Sequence, residues 1–309
     1  MDRKGEMLMI IKKRVEPAEV KLLSSLNVRT SLAESEQRKL NAARKGYHGE
    51  LLFDEWAAPL LSKMVFLNDL LLDHQGSKFQ IDSCALSSKT IFNFEVKNFE
   101  GDYRVKNGNW ISPSGEEKKD PLLQLKRTES LIRQYTEQLG FNCHVESYLI
   151  FINSEFYLYN PPDTQSIIFA PQLNRFMGKL QSRSLKVNNG DLKIAEKLKS
   201  LHIEQSPYSR LPDYDFDGLQ KGIFCPQCNI FYKADLGKSL FCNRCGESEL
   251  KSSAILRTIE EFRLLFPNEK LTTTKTQAMC AIINLRKTIR KVLDENFTKV
   301  DAKNYTYYK

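Results

Sequence analysis

Long apolar runs are missing from this chain. Nowhere in its 309 residues does one approach the ~18 that a membrane span requires. The apolar residues 7–11 give way to charge too soon to form the core of a signal peptide. A cytoplasmic protein with no membrane partner is expected. Internal repeats and low-complexity tracts are also missing, so no repeat architecture is indicated. Cysteine is too sparse for a disulfide framework, at seven in a chain of this length. Cys84, Cys143 and Cys280 stand alone and read as small buried hydrophobes. What is present suits a globular protein: 41% hydrophobic and 27% charged residues, in a length that allows two or three domains.

The formal charge of +8 is unevenly spread. Residues 250–309 hold 12 Lys and Arg against 6 Asp and Glu. Such a tail suits a phosphate-rich partner, although a solvated charged face gives the same bias. Residues 1–36 read as a polar, helix-leaning extension. Residues 47–64 carry Phe53, Trp56, Leu60 and Met64 at helical spacing. Strand-like runs follow at 79–86 and 90–99, then a stretch at 101–119 able to hold a further hairpin. Asp120 and Pro121 form the N-cap and first position of a helix that Gly140 ends. Residues 145–153 read as a buried strand and 166–170 as another. This order predicts a mixed α/β domain over 37–180. A linking helix and loop (181–220), a cysteine module (221–250) and a basic helical tail (251–309) complete the expected organisation.

In the second strand-like run, Phe92, Phe94 and Val96 share one face, and Asn93, Glu95 and Lys97 share the other. A two-residue turn at Ser88–Lys89 pairs Ser87 with Thr90 and, in the same register, Asp82 with Glu95. Their β-carbons would lie roughly 5 Å apart. Like charges so placed are destabilising. One carboxyl can keep its proton, a cation can sit between them, or the register can differ. A hard cation such as Mg²⁺ or Mn²⁺ takes one or two carboxylates plus water and phosphate oxygens. Lys97 would put a positive charge beside it, able to polarise a water or steady a phosphoryl group. The plain alternative is a solvated face with a cross-strand ion pair worth under ~1 kcal/mol.

Two more residues bear on that choice. Glu50 lies three before Phe53 and seven before Ala57, near the apolar face of its helix, where a carboxylate needs a partner. With Gly46 and Gly49 suggesting a helix start nearby, it could equally serve the helix N-terminus. Gln124, in the first turn after Pro121, could position a phosphate or a water, or lie on the surface.

Taken in order, G-Y-H-G-E (46–50), I-D (81–82), E-V-K-N-F-E-G (95–101), Trp110 and D-P-L-L-Q (120–124) resemble the nuclease-related domain family, NERD. That family is placed in the PD-(D/E)XK restriction-endonuclease-like superfamily, and the similarity covers roughly residues 37–155. It implies a mixed sheet flanked by helices and a metal-dependent nuclease. It also implies Asp82 and Glu95 as the metal-site acids, Glu50 as the helical glutamate that assists at the metal or binds a second ion, Lys97 as the lysine and Gln124 as the glutamine. Asp120 stands where the family often has Asn, and Ser83 where it often has His; neither change removes a carboxylate. Related nucleases often work as dimers, but no feature of this sequence requires a homodimer.

Cys225-Pro-Gln-Cys228 and Cys242-Asn-Arg-Cys245 form two C-x₂-C pairs, a spacing that allows tetrahedral Zn²⁺ and resembles a zinc ribbon. Four thiolates leave no open position, so such a zinc would be structural. Phe224, Phe231, Tyr232 and Phe241 are expected around it. In the tail, residues 254–266 form an amphipathic helix, followed by helices from about 272 and up to about 296. The last places Arg286, Lys287, Arg290 and Lys291 on one side and Leu285, Ile289, Val292 and Leu293 on the other. With the aromatic, strand-like YTYYK end, this loosely resembles a helix-turn-helix with a short wing. The reading is a nuclease acting on DNA in preference to RNA. The competing one is a nucleic-acid-binding or regulatory protein that uses the nuclease fold without cleaving.

Overall fold

The computed structural model describes residues 9–183, 185–204, 212–233, 237–302 and 305–309, and divides the chain into two units. Met1–Glu16 and Arg44–Ser209 form the first; Pro17–Ala43 and Arg210–Lys309 form the second. Residues 7 and 8 of the N-terminal apolar run and residues 205–211 of the expected loop lie outside the described residues.

The chain opens with β1 (Ile10–Lys12), α1 (Ala18–Arg29), α2 (Glu34–Ala57) and β2 (Val65–His74). The hairpin β3 (Ser77–Ser87) and β4 (Thr90–Lys97) follows, then β5 (Gly101–Lys106), β6 (Asn109–Ile111), β7 (Glu117–Lys118) and α3 (Pro121–Gln138). β8 (His144–Phe151), β9 (Phe156–Tyr159), β10 (Ile167–Phe169), α4 (Leu173–Ser182) and α5 (Asn189–Ser200) complete the first unit. Its main sheet has the order β1-β2-β3-β4-β8-β10, and a smaller one the order β7-β6-β5-β9. β2, β3 and β4 are antiparallel neighbours, whereas β1, β8 and β10 join in parallel. The main sheet is therefore mixed and flanked by helices.

From Ser87 with Thr90 to Ser83 with Phe94 the β3–β4 register is the one the sequence predicts, but the ladder stops there and Asp82 and Glu95 are not a paired position. Ser88 and Lys89 both have positive φ, 52° and 61°, the left-handed pair of a tight hairpin turn. Asp191 of α5 secures this turn, accepting from the Ser88 and Lys89 backbone N–H groups at 3.1 and 2.9 Å. Phe92, Phe94 and Val96 pack with Phe53 and Ala57 of α2 and Phe176 of α4. The opposite face of β4 carries Asn93 and Glu95, both buried. Ile81 and Cys84 join one cluster although three residues apart, so the side-chain alternation of β3 breaks at Asp82. Across from it on β2, Asp69 has φ 55°.

Several expectations need correction. The residues read as a helical extension include β1, which pairs in parallel with β2, and α1, which belongs to the second unit and packs there on α6 (Lys251–Leu265). No helix begins near Gly46, because α2 runs unbroken from Glu34. Gly49 instead allows a close approach: a Cβ there would lie 2.4 Å from the Asn98 Cβ. α5, expected as a linker, adds Ile194, Ala195 and Leu198 to the first unit's core. β2 was not expected at all. It is covered on both faces, so VFLNDLLLDH lacks the alternation that marks a half-exposed strand.

In the second unit, β11 (Ser239–Phe241) and β12 (Ser248–Leu250) form a hairpin ahead of α6. α7 (Thr273–Cys280), α8 (Arg286–Asn296) and the hairpin β13 (Lys299–Ala302) and β14 (Tyr305–Tyr308) follow. Leu271, between α6 and α7, pairs with Tyr308. The order after the cysteines is therefore helix, bridging residue, helix, turn, helix and hairpin. Arg29 of α1 is fully buried in this unit, fork to fork with Glu261 at 2.7 Å on both arms, and lies against the rings of Phe224 and Phe231.

Candidate functional site

Asp82 and Glu95 leave adjacent strands at the break in β3. Asp82 Oδ2 accepts from the Val96 backbone N–H at 2.9 Å, so that carboxylate reaches across the hairpin toward β4. Glu95 Oε1 accepts from Lys97 Nζ at 2.7 Å and from Gln124 Nε2 at 2.5 Å, and Lys97 Nζ lies 3.3 Å from Gln124 Oε1. Gln124 gets there because Asp120 caps α3, accepting from Leu122 N at 2.8 Å, and Pro121 opens its first turn. The structure thus brings Asp82, Glu95, Lys97 and Gln124 into one cluster.

Glu50 is held beside it by a residue that the sequence reading missed. Arg14, 2% exposed, contacts Glu50 Oε2 at 2.5 Å and Asp54 at 2.8 and 3.0 Å. The one signal in the sequence is Glu50 and Asp54 at i,i+4, a like-charge pair that asks for a cation. Arg14 lies in a stretch read only as polar extension.

The electrostatics follow from burial. Burial first, then the neighbouring Asp82, pushes Glu95 up to about 7, opposed by Lys97. Burial pushes Glu50 up to about 8, with Asp82 adding and Arg14 opposing. Asp82 is also raised by burial, opposed by Lys97 and by the Val96 N–H. Three acids crowd a site whose own cations do not offset the loss of water, so a bound proton or a further cation is favoured there. Among the described residues, the second oxygen of Asp82 and of Glu95 takes no hydrogen bond. Two free carboxylate oxygens on adjacent strands suit Mg²⁺, which needs few protein ligands. Glu50, Asp82 and Glu95 do not, however, bring three oxygens within 4.8 Å of one another. The donor set fits an ion shared by Asp82 and Glu95, with Glu50 paired to Arg14.

The four cysteines differ. Cys225, Cys228, Cys242 and Cys245 alone among the described residues gather three or more potential ligand atoms within 4.8 Å. Cys225 and Cys245 sulfurs are 3.5 Å apart, Cys228 and Cys242 sulfurs 3.4 Å, close to the edge of a zinc tetrathiolate with ~2.3 Å bonds. Asn229 N donates to Cys225 O and Gly246 N to Cys242 O, the same turn in both pairs. The Cys245 and Arg244 backbone N–H groups lower Cys242 to about 6, whereas burial and the neighbouring sulfurs raise Cys228 and push Cys245 up to about 12, so the four sulfurs without an ion share protons among themselves. Tyr232 is buried beside the cluster, but Phe241, expected there, is 58% exposed. On a three-residue strand it alternates outward from buried Leu240.

On α8, Ile289, Val292 and Leu293 are buried, and Arg286, Lys287, Arg290 and Lys291 are exposed. Leu285 is also exposed, because it is the N-cap and precedes the helical face it was expected to join. Arg286 donates to Thr274 Oγ1 at 3.2 Å and Lys291 pairs with Glu295 at 3.7 Å.

Residues 45–152 match the family model described as NERD, nuclease-related domain. The match lies within the first unit and spans Glu50, Asp82, Glu95, Lys97 and Gln124. No curated protein and no solved structure matches the chain. No helix among the described residues is long and apolar enough to cross a membrane.

Proposed function

We propose that the first unit is a divalent-metal-dependent nuclease that hydrolyses phosphodiester bonds of DNA. The observation that carries this reading is the cluster formed by Asp82 and Glu95 with the Lys97 ammonium and the Gln124 amide, inside a nuclease-related domain. Asp82 and Glu95 would hold Mg²⁺ or Mn²⁺. When bound, such an ion polarises the phosphate and lowers the pKa of an attacking water. Glu95 holds Lys97 Nζ in place, and Lys97 directs a proton of its own at the developing phosphoryl charge or orients the water. Gln124 fixes the Glu95 carboxylate and has its amide oxygen on Lys97, so it sets the geometry of both. Arg14 neutralises Glu50 and leaves the paired acids as the metal ligands.

The second unit would hold the substrate. Its four thiolates suit a structural Zn²⁺, and the exposed cations of α8 suit the phosphates of a DNA groove. A module that binds the duplex raises the local concentration of DNA for a nuclease on the same chain.

A second reading has one observation in its favour. Arg14 and Lys97 already partner Glu50 and Glu95, and the three acids do not close on one point. A protein that binds nucleic acid without cutting it could have this arrangement.

Cleavage of supercoiled plasmid and of a single-stranded oligonucleotide with Mg²⁺ or Mn²⁺ separates the two. Wild type should cut, and Glu95→Ala and Lys97→Ala should each lose about 10²–10⁴-fold in rate while still binding DNA. Equal activity in all three proteins would remove the assigned site. Binding without any cleavage would favour the second reading.

A further inference from the structure

The small sheet of the first unit presents an aromatic face that the cluster above does not use. Along the edge strand β9, Phe156 and Leu158 point into the core, whereas Tyr157 and Tyr159 point outward and are 59% and 46% exposed. Their ring centroids lie 4.8 Å apart at 66°. Neither phenol makes a hydrogen bond among the described residues. Beside them in parallel register, Asp102 pairs with Tyr157 and Arg104 with Tyr159, and the Arg104 guanidinium lies 5.9 Å from the Tyr159 ring centre. Exposed Lys106 continues the same face of β5.

We propose that this face is a stacking platform for the unpaired bases of a single-stranded nucleic acid. Burying two large rings would have been the cheaper use of them in a monomer, and the chain does so with Phe156 and Tyr103 one position away. Exposed rings next to a guanidinium offer what unstacked bases need: flat π surfaces plus a cation for the adjoining phosphate. Charge selects the occupant. Arg104 and Lys106 complement a phosphate chain, and Asp102 offsets only part of that charge, so stacking supplies the larger share of binding.

The platform lies on the strands that directly follow those of the acid cluster. β4 and β8 end side by side at Lys97 and Phe151, and β5 and β9 resume the parallel pairing at Gly101 and Phe156. Asn153 Nδ2 donates to Asn98 Oδ1 at 3.0 Å across the two connections. Seven residues separate Lys97 from Arg104, a span of at most ~25 Å for an extended chain. In that form the proposal rests on the nuclease reading, and it adds a preference for single strands at the site.

Fluorescence anisotropy with a labelled dT₁₂ and a labelled duplex, in Mg²⁺-free buffer, tests it on the full chain. Tyr157→Ala/Tyr159→Ala should weaken dT₁₂ binding at least tenfold and leave duplex binding within twofold. The matching double Phe variant, which keeps both rings, should bind dT₁₂ within about threefold of wild type. The tyrosine-dependent part should persist at 0.3 M salt, where phosphate contacts weaken. Unchanged dT₁₂ affinity in the double Ala variant would overturn the platform, as would a double Phe variant as weak as double Ala. Tyrosine-dependent binding in a wild type that cleaves nothing would retain the platform and reject the nuclease. Cleavage with tyrosine-independent binding would do the reverse.

Discussion

The acid cluster and the thiol cluster treat negative charge in opposite ways. Around Glu50, Asp82 and Glu95 the chain supplies cations of its own, Arg14 and Lys97, and a neutral amide, Gln124. Around Cys225, Cys228, Cys242 and Cys245 four sulfurs converge on one another, and backbone N–H groups pull Cys242 toward the thiolate. A set of four donors with no vacancy suits an ion that stays for the life of the fold. Acids whose charge is partly met and whose second oxygens are free suit an ion that comes and goes with substrate. On the proposed reading, ligand number, more than charge, separates a structural metal from a working one.

The largest expected effect comes from breaking the thiol side. Stripping the metal with a chelator should cost the second unit on the order of 10 kcal/mol of apparent stability. Elemental analysis should fall from about one zinc per chain to none, and amide-exchange protection over 223–250 should vanish. Full protection in the stripped protein would place the thiols outside the folding account.

A smaller effect sharpens the acid side. Arg14→Ala leaves both Glu50 and Asp54 without their guanidinium and should lower stability by about 3 kcal/mol in Mg²⁺-free buffer, read by urea unfolding. Millimolar Mg²⁺ should then stabilise the variant more than the wild type, because a cation replaces the missing charge. Equal stabilisation of both would mean that Glu50 does not feel the ion.

The smallest effect contrasts two glutamates of the same unit. Glu95 is raised to about 7 by burial, whereas Glu146 is held below the usual carboxylate range by Arg183, which meets it at 2.7 and 2.8 Å. A depressed folded-state pKa contributes stability above the unfolded value and loses it as pH falls through the folded one. Glu146→Gln should therefore cost under ~1 kcal/mol at pH 7, with the difference from wild type closing below about pH 4. A gap that persists at pH 3 would point to packing rather than charge.

Local chemistry made much of this legible in the sequence. The Ser88–Lys89 turn fixed the hairpin register, Asp120–Pro121 announced α3, and two C-x₂-C pairs announced the thiol cluster. What escaped depends on distant contacts. β2 is apolar on both faces and so has no strand period to read. Arg14 lies 36 residues before Glu50, and only the parallel pairing of β1 on β2 carries it to the acids. Gly49 looks like a helix start until Asn98 is seen pressed against it.

The account stands on Asp82 and Glu95 sharing a divalent ion. Calorimetric titration of the zinc-loaded protein with Mn²⁺ tests this most directly. One Mn²⁺ should bind per chain, and Asp82→Asn and Glu95→Gln should each abolish that binding while the zinc content stays the same. Undiminished Mn²⁺ binding in both variants would contradict it.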